Sequence, residues 1–157
     1  MERTLVLIKP DAVQRRLVGR ILARFERKGL QIVGLKILQI GEALARRHYA
    51  AHEGKPFYEP LIRFLTSGPT VALVLEGKRA VEVVRTMMGP TFGPDAPPGT
   101  IRGDFAVSNR FNLVHGSDSP ESAEAEIVLF FEPSDLVEWR PDDIANLYDF
   151  SEGGEPV

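Results

Sequence analysis

The sequence predicts an α+β protein, a ferredoxin-like sandwich in which a four-stranded antiparallel sheet is covered by helices. Three observations predict it. Short apolar runs of strand length recur along the chain, and stretches between them carry apolar residues at helical spacing. The resulting order is strand, helix, strand, helical insert, strand, helix, strand. With helices inserted between so few strands, the expected arrangement has them covering one face of a small sheet.

Taken in order, Thr4 to Lys9 is a first strand, ended by Pro10. A helix follows, with Val13, Leu17, Ile21 and Phe25 at four-residue steps and Gly29 as its stop. Leu30 to Ile40 is strand two, where Val33, Leu35 and Ile37 alternate. Glu42 to Ala51 and Phe57 to Thr66 read as two helices. Strand three runs from Pro69 to Glu76, bounded by Ser67-Gly68 and Gly77. Lys78 to Met88 is a helix with Val81, Val84 and Met88 inward and Arg85 on its flank. Gly89 to Gly99 carries Pro90, Pro94, Pro97 and Pro98 and must be an ordered, turn-rich loop. Ser119-Pro120-Glu121 combines a serine cap, a proline at the first position and an acid in the first turn, which marks a helix start. Ile127 to Phe131 reads as strand four. Residues 1–150 form a single domain, and residues 151–157 read as a flexible tail.

Composition removes several function classes. The longest apolar runs, such as Leu5 to Ile8 and Val71 to Leu75, are far too short to span a bilayer. No apolar signal region precedes the first strand, so a cytoplasmic location is expected. The absence of cysteine excludes disulfides and thiolate metal sites. A net charge of -3 argues against general nucleic-acid binding. Arg16, Arg20, Arg24 and Arg27 do stack on one side of the second element, but they read as a solvated face.

No Gly-rich loop ends in Gly-Lys-Ser or Gly-Lys-Thr, and there is no dinucleotide fingerprint, so phosphate would have to be held by side chains. His48 and His52 lie four apart, a spacing that lets two imidazoles share a metal. With no third ligand in view, they read as solvent-facing or interfacial. His115 stands where an apolar segment gives way to a turn, in Asn112-Leu113-Val114-His115-Gly116-Ser117-Asp118-Ser119. Neutral imidazole there is a competent nucleophile. By pattern alone Tyr49, Phe57 and Leu61 read as core residues, and Lys9, Arg85 and Arg102 as solvated charges.

The stretch from Asn112 to Ser119 resembles the active-site signature of nucleoside diphosphate kinases. The resemblance extends over nearly the whole chain: Arg3 to Asp11, Val13-Gln14-Arg15, Leu17-Val18-Gly19, His48-Tyr49, Pro56-Phe57-Tyr58, Ser67-Gly68-Pro69 and Pro98 to Phe105 all fall in order. It implies ping-pong transfer of the terminal phosphate from a nucleoside triphosphate to a nucleoside diphosphate through a phosphohistidine on His115. Mg2+ would arrive on the nucleotide phosphates, with no protein metal site of its own.

The same resemblance assigns roles. Lys9 supplies a point charge near the transferring phosphate, Arg85 and Arg102 hold the inner phosphates, and Thr91 adds a hydroxyl donor. Tyr49 reaches the phosphate or the imidazole, Asn112 meets the sugar, and Phe57 with Leu61 clamps the base. Glu126 orients the imidazole, and Ser117 supports Glu126. The chain departs from the family pattern at Pro90 and at Asn109-Arg110-Phe111, both bordering the loop and the base. A homo-oligomer is implied, a hexamer first and a tetramer as the alternative, with Trp139, Tyr148 and Phe150 of the long tail packing on a neighbouring subunit. A non-catalytic nucleotide-binding module on the same fold is disfavoured because none of the active-site matches is missing.

Overall fold

The computed structural model describes all 157 residues, Met1 to Val157. Strands β1 (Glu2–Ile8), β2 (Gln31–Gln39), β3 (Pro69–Gly77) and β4 (Val114–Gly116) form one sheet in the order β2-β3-β1-β4. Every neighbouring pair is antiparallel, as the pattern predicts.

The helices are α1 (Pro10–Gln14), α2 (Val18–Arg27), α3 (Glu42–His48), α4 (Tyr58–Leu65), α5 (Ala80–Met88), α6 (Ile101–Phe105), α7 (Pro120–Phe130) and α8 (Ile144–Leu147). They cover both faces of the sheet, not one. The reason lies in the central strands: Leu5 to Ile8 and Ala72 to Leu75 are fully buried without alternation, and side chains that point both ways need cover both ways. Val6, Ile8, Leu73 and Leu75 pack with Ile21 and Phe25 of α2, Val84 and Met88 of α5, and Ile101 of α6. Leu5, Leu7, Ala72 and Val74 pack beneath Ala45 of α3, Ile62 and Leu65 of α4, and Ile127 and Phe130 of α7.

Three further expectations are corrected. The single helix through Val13 and Phe25 is two helices, broken where Arg16 takes a left-handed conformation at φ 57°. Four-residue spacing is the same on both sides of that break, so periodicity does not reveal it. The arginine face is also not wholly solvated, because Arg24 pairs with Asp104 and donates to the Gly99 carbonyl at 3.1 Å. Strand four is not Ile127 to Phe131, which continues α7. Ala123, Ile127 and Phe130 turn inward while Val128 is 73% exposed, a helical rather than an alternating pattern, and so short an apolar run fits either period. The true fourth strand is only three residues long.

The segment after Pro133 folds back along its own chain. The Val137 N–H donates to Val33 O at 2.8 Å and Trp139 Nε1 to Ile32 O at 3.0 Å, so the segment runs along the outer edge of β2. The Tyr148 hydroxyl accepts from the Lys78 N–H at 3.4 Å, and Phe150 bridges Pro156 across a closing turn.

The turn-rich loop is locked against α6 by one close approach. The Thr100 hydroxyl caps α6 by accepting from Gly103 N at 2.9 Å, and a β-carbon on Gly103 would overlap the Pro97 carbonyl oxygen. Gly103→Ala is therefore expected to cost about 2 kcal/mol or more. Gly19→Ala, in a helix with open space around the site, should gain up to about 1 kcal/mol. Urea unfolding midpoints of the two variants check the opposite signs.

Candidate active site

The site forms where β1 ends beside β4. Lys9 follows the last residue of β1, and His115 sits opposite Leu7 in the β1–β4 register, on the face covered by α3, α4 and α7. Two contacts lock this corner: Lys9 N donates to Leu113 O at 2.8 Å, and Asp11 Oδ2 accepts from Leu113 N at 3.0 Å. They hold Leu113, fully buried, at φ 72°, a conformation that costs a non-glycine residue about 1–3 kcal/mol.

A relay runs from the backbone to the imidazole. Leu5 N donates to Ser117 Oγ at 3.3 Å, Ser117 Oγ donates to Glu126 Oε2 at 2.7 Å, and the same oxygen lies 2.9 Å from His115 Nε2. A carboxylate accepts only, so Nε2 carries the ring proton and the lone pair of the neutral ring is on Nδ1. The sequence left open which nitrogen Glu126 meets; the geometry identifies Nε2. Burial by itself would raise the Glu126 pKa, but the hydrogen bond and charge of His115, with Ser117, outweigh it and hold the carboxyl below its ordinary value.

Lys9 and Arg102 are buried rather than solvated. Lys9 Nζ donates to Asn112 Oδ1, and Asn112 Nδ2 donates in turn to Thr91 O at 2.8 Å. Burial lowers the Lys9 pKa to about 8, with Asp11 opposing and Arg102 adding to the shift. Arg102 donates through Nε to Asn112 O (3.1 Å), through one terminal nitrogen to Gly89 O (2.9 Å) and through the other to Val114 O (2.7 Å). Those bonds use three of its five N–H donors and leave two for a ligand. Burial and then the charge of Arg85 lower its pKa to about 10. Arg85 is exposed on α5, reaching Gly116 O at 3.4 Å. Tyr49 is buried, and burial followed by the Glu126 charge pushes its pKa up, so the phenol stays protonated.

A cavity of about 380 Å³ is lined by Lys9, Tyr49, Arg85, Thr91, Arg102, Asn112, His115 and Glu126 together. The remaining residues implied by the resemblance stand outside that lining. Ser117 is buried behind Glu126. Phe57 is 49% exposed at the rim, its ring 5.3 Å from that of His52, which does line the cavity. Leu61, on α4, is partly buried against the core cluster on that face of the sheet.

His48 is not the solvent-facing histidine of the expectation, because both of its ring nitrogens are buried. Its ring meets His115 edge-on at 4.5 Å between centroids and 86°, and Phe130 at 5.3 Å. Burial, then the neighbouring His115, lowers its pKa to about 3. Sequence reading also gave Asp11 no role. Its signals are an acid directly after the strand-ending Lys9-Pro10, a common pattern, and its place at the end of the matched stretch Arg3 to Asp11, and neither specifies a role.

A family model described as nucleoside diphosphate kinase matches residues 2–136. A Roseiflexus castenholzii protein named nucleoside diphosphate kinase is 59% identical over 140 residues, 89% of this chain and 94% of that protein. One of the same name from Archaeoglobus fulgidus is 53% identical over 149 residues, 95% and 99% of the two chains. Among solved structures, a halophilic nucleoside diphosphate kinase from Halobacterium salinarum in complex with CDP superposes with a TM-score of 0.93 at 51% identity, covering 94% of this chain and 99% of that one.

An anion bound beside Lys9 raises its pKa again. At about pH 9 the free amine is largely neutral and the complexed amine charged, so phosphate-ligand binding should take up protons there and not at pH 6. Calorimetric titration with a nucleoside triphosphate in two buffers of different ionisation enthalpy measures the uptake, and Lys9→Met should abolish it.

Proposed function

We propose a mechanism for phosphate transfer by this chain, which belongs to the nucleoside diphosphate kinase family. The reaction moves the terminal phosphate of a nucleoside triphosphate to a nucleoside diphosphate in two half-reactions through a phosphohistidine on His115. The observation that carries this assignment is the 2.9 Å contact from Nε2 to Glu126, because it keeps the Nδ1 lone pair free.

In the first half-reaction Nδ1 attacks the terminal phosphorus, the bond to the bridging oxygen breaks, and the diphosphate leaves with that electron pair. The ring then bears substituents on both nitrogens and a positive charge, which the Glu126 carboxylate offsets without having to take the proton. Attack by the diphosphate oxygen of a second nucleotide reverses the step. Most of the catalysis in such a transfer is positioning and neutralisation of oxygen charge. Lys9, Arg85 and the two free N–H groups of Arg102 are the donors for it, with the Tyr49 phenol and the Thr91 hydroxyl as neutral ones. Asn112 is the group for a sugar hydroxyl, and Phe57 with Leu61 is the rim on which a base stacks.

The residues around the cavity fit magnesium delivered with a nucleotide better than magnesium held alone. Glu126 is engaged by His115 and Ser117, which leaves Asp118 as the other carboxylate in the lining, and octahedral Mg2+ wants more oxygens than that. Mg2+ on the phosphates would supply further charge neutralisation, with Asp118 as its contact to the protein.

No helix is long and apolar enough to cross a membrane, and a cytoplasmic site of action is part of this reading. A homo-oligomer, hexamer before tetramer, is part of the same reading; association of some kind is supported by Leu35 and Ile37, which stand exposed on β2 at the edge of the sheet.

Incubation with a labelled triphosphate should give an acid-labile, alkali-stable phosphoprotein, and His115→Gln should give none; label persisting in that variant would move the nucleophile elsewhere. Ser117→Ala leaves Glu126 one charge-assisted hydrogen bond short, so phosphoenzyme formation should slow roughly ten- to a hundredfold, as rapid-quench labelling would show.

A further inference from the structure

His48 lies in the site but outside its hydrogen-bond network. Both of its nitrogens are sealed from solvent and neither has a partner, and a buried polar atom without a partner calls for an explanation. One donor atom each from His48, His115 and Glu126 lies within 4.8 Å of the others.

We propose that His48, His115 and Glu126 form a binding site for a divalent transition ion of the zinc class, and that the bound ion blocks phosphorylation of His115. The binding half of this proposal stands on geometry alone; the blocking half rests on the phosphotransfer reading above.

Two imidazole nitrogens and one carboxylate oxygen, with a fourth position left to water, make a donor set that zinc accepts. Tetrahedral bonds of about 2.0–2.1 Å place donors roughly 3.4 Å apart, so the three groups must close by at most roughly 1.5 Å. His48 can turn at little cost, since it has no hydrogen bond to break. Lys9, Arg85 and Arg102 line the same cavity and repel a dication, which sets the affinity below that of a dedicated structural zinc site.

Blocking follows whichever nitrogen of His115 the ion takes. Coordination through Nδ1 uses the attacking lone pair directly. Coordination through Nε2 displaces the proton from that nitrogen to Nδ1, and Nδ1 then carries an N–H instead of a lone pair. In both cases no proton leaves the ring and no electron pair remains for phosphorus.

The experiment has two arms. In the first, metal-free protein without nucleotide is titrated with Zn2+ against a chromophoric chelator, and with Co2+ for the visible bands of a four-coordinate ion. One ion per chain is expected, with affinity at least tenfold weaker in His48→Asn and in Glu126→Gln. In the second, labelling by excess Mg–triphosphate is measured with zinc at a saturating level. Zinc should suppress the wild-type rate more than tenfold and the His48→Asn rate less than twofold relative to its own zinc-free rate, and a zinc-selective chelator should restore labelling. No binding, binding unchanged in both variants, or equal suppression in wild type and His48→Asn would overturn the proposal. Should His48→Asn lose its helical circular dichroism, His48→Gln replaces it in both arms. If the wild type takes no label even without zinc, the phosphotransfer reading fails, and the first arm still decides the binding site.

Discussion

The antiparallel pairing of three-residue β4 with the end of β1 is the contact on which the site depends. It brings the residue that follows β1, Lys9, beside the strand that carries His115, and it places Ser117 where the Leu5 N–H meets its hydroxyl. A strand this short at the edge of a sheet would normally leave its outer carbonyls to water. Here the carbonyls of Asn112 and Val114 are taken by the Arg102 guanidinium, which also reaches Gly89 on the far side of the proline-rich loop. Arg102 thus does for β4 what a fifth strand would do, and it does so with a charge that the site can use.

That solution has an electrostatic consequence. Lys9 and Arg102 are both buried with carbonyl and amide oxygens as their hydrogen-bond partners, and the only carboxylate bonded to the nucleophile is already shared by His115 and Ser117. Desolvated cations are costly when neighbouring anions offset the burial only in part, as Asp11 does for Lys9, and their lowered pKa values record it. A polyanionic phosphate chain relieves that cost when it binds. A chain of net charge -3 can therefore hold a locally cationic pocket, which overall charge neither predicts nor forbids.

Much of this was legible in the sequence, and the failures have physical causes. β1 and β3 were readable because a strand buried on both faces is a continuous apolar run, yet that same continuity hid which faces needed cover. The run from Ile127 reads as a strand because five residues are too few to separate a period of 2 from one of 3.6. The strand character of Val114–Gly116 comes from pairing with β1 and not from its own composition, so no local pattern marks it. The Ser119 cap was the better guide, since a side chain accepting from the Ser122 N–H is a local event that a local sequence can specify. Burial of Lys9 and Arg102, by contrast, is a tertiary fact, and only the matched family positions hinted at it.

His48 shows the same limit and what lies past it. Its spacing to His52 invited a metal reading with the wrong partner, because helical spacing finds neighbours on one element and not across elements. The third dimension supplies His115 and Glu126 instead. A ring oriented by a carboxylate so that one lone pair stays free is a nucleophile toward phosphorus and, by the same electron pair, a ligand toward a borderline metal ion. What separates the two uses is charge: Lys9, Arg85 and Arg102 favour the anionic partner and oppose the cation. The selectivity of His115 therefore rests less on the imidazole than on the cations around it, and a ring beside it with two unpartnered nitrogens narrows that selectivity.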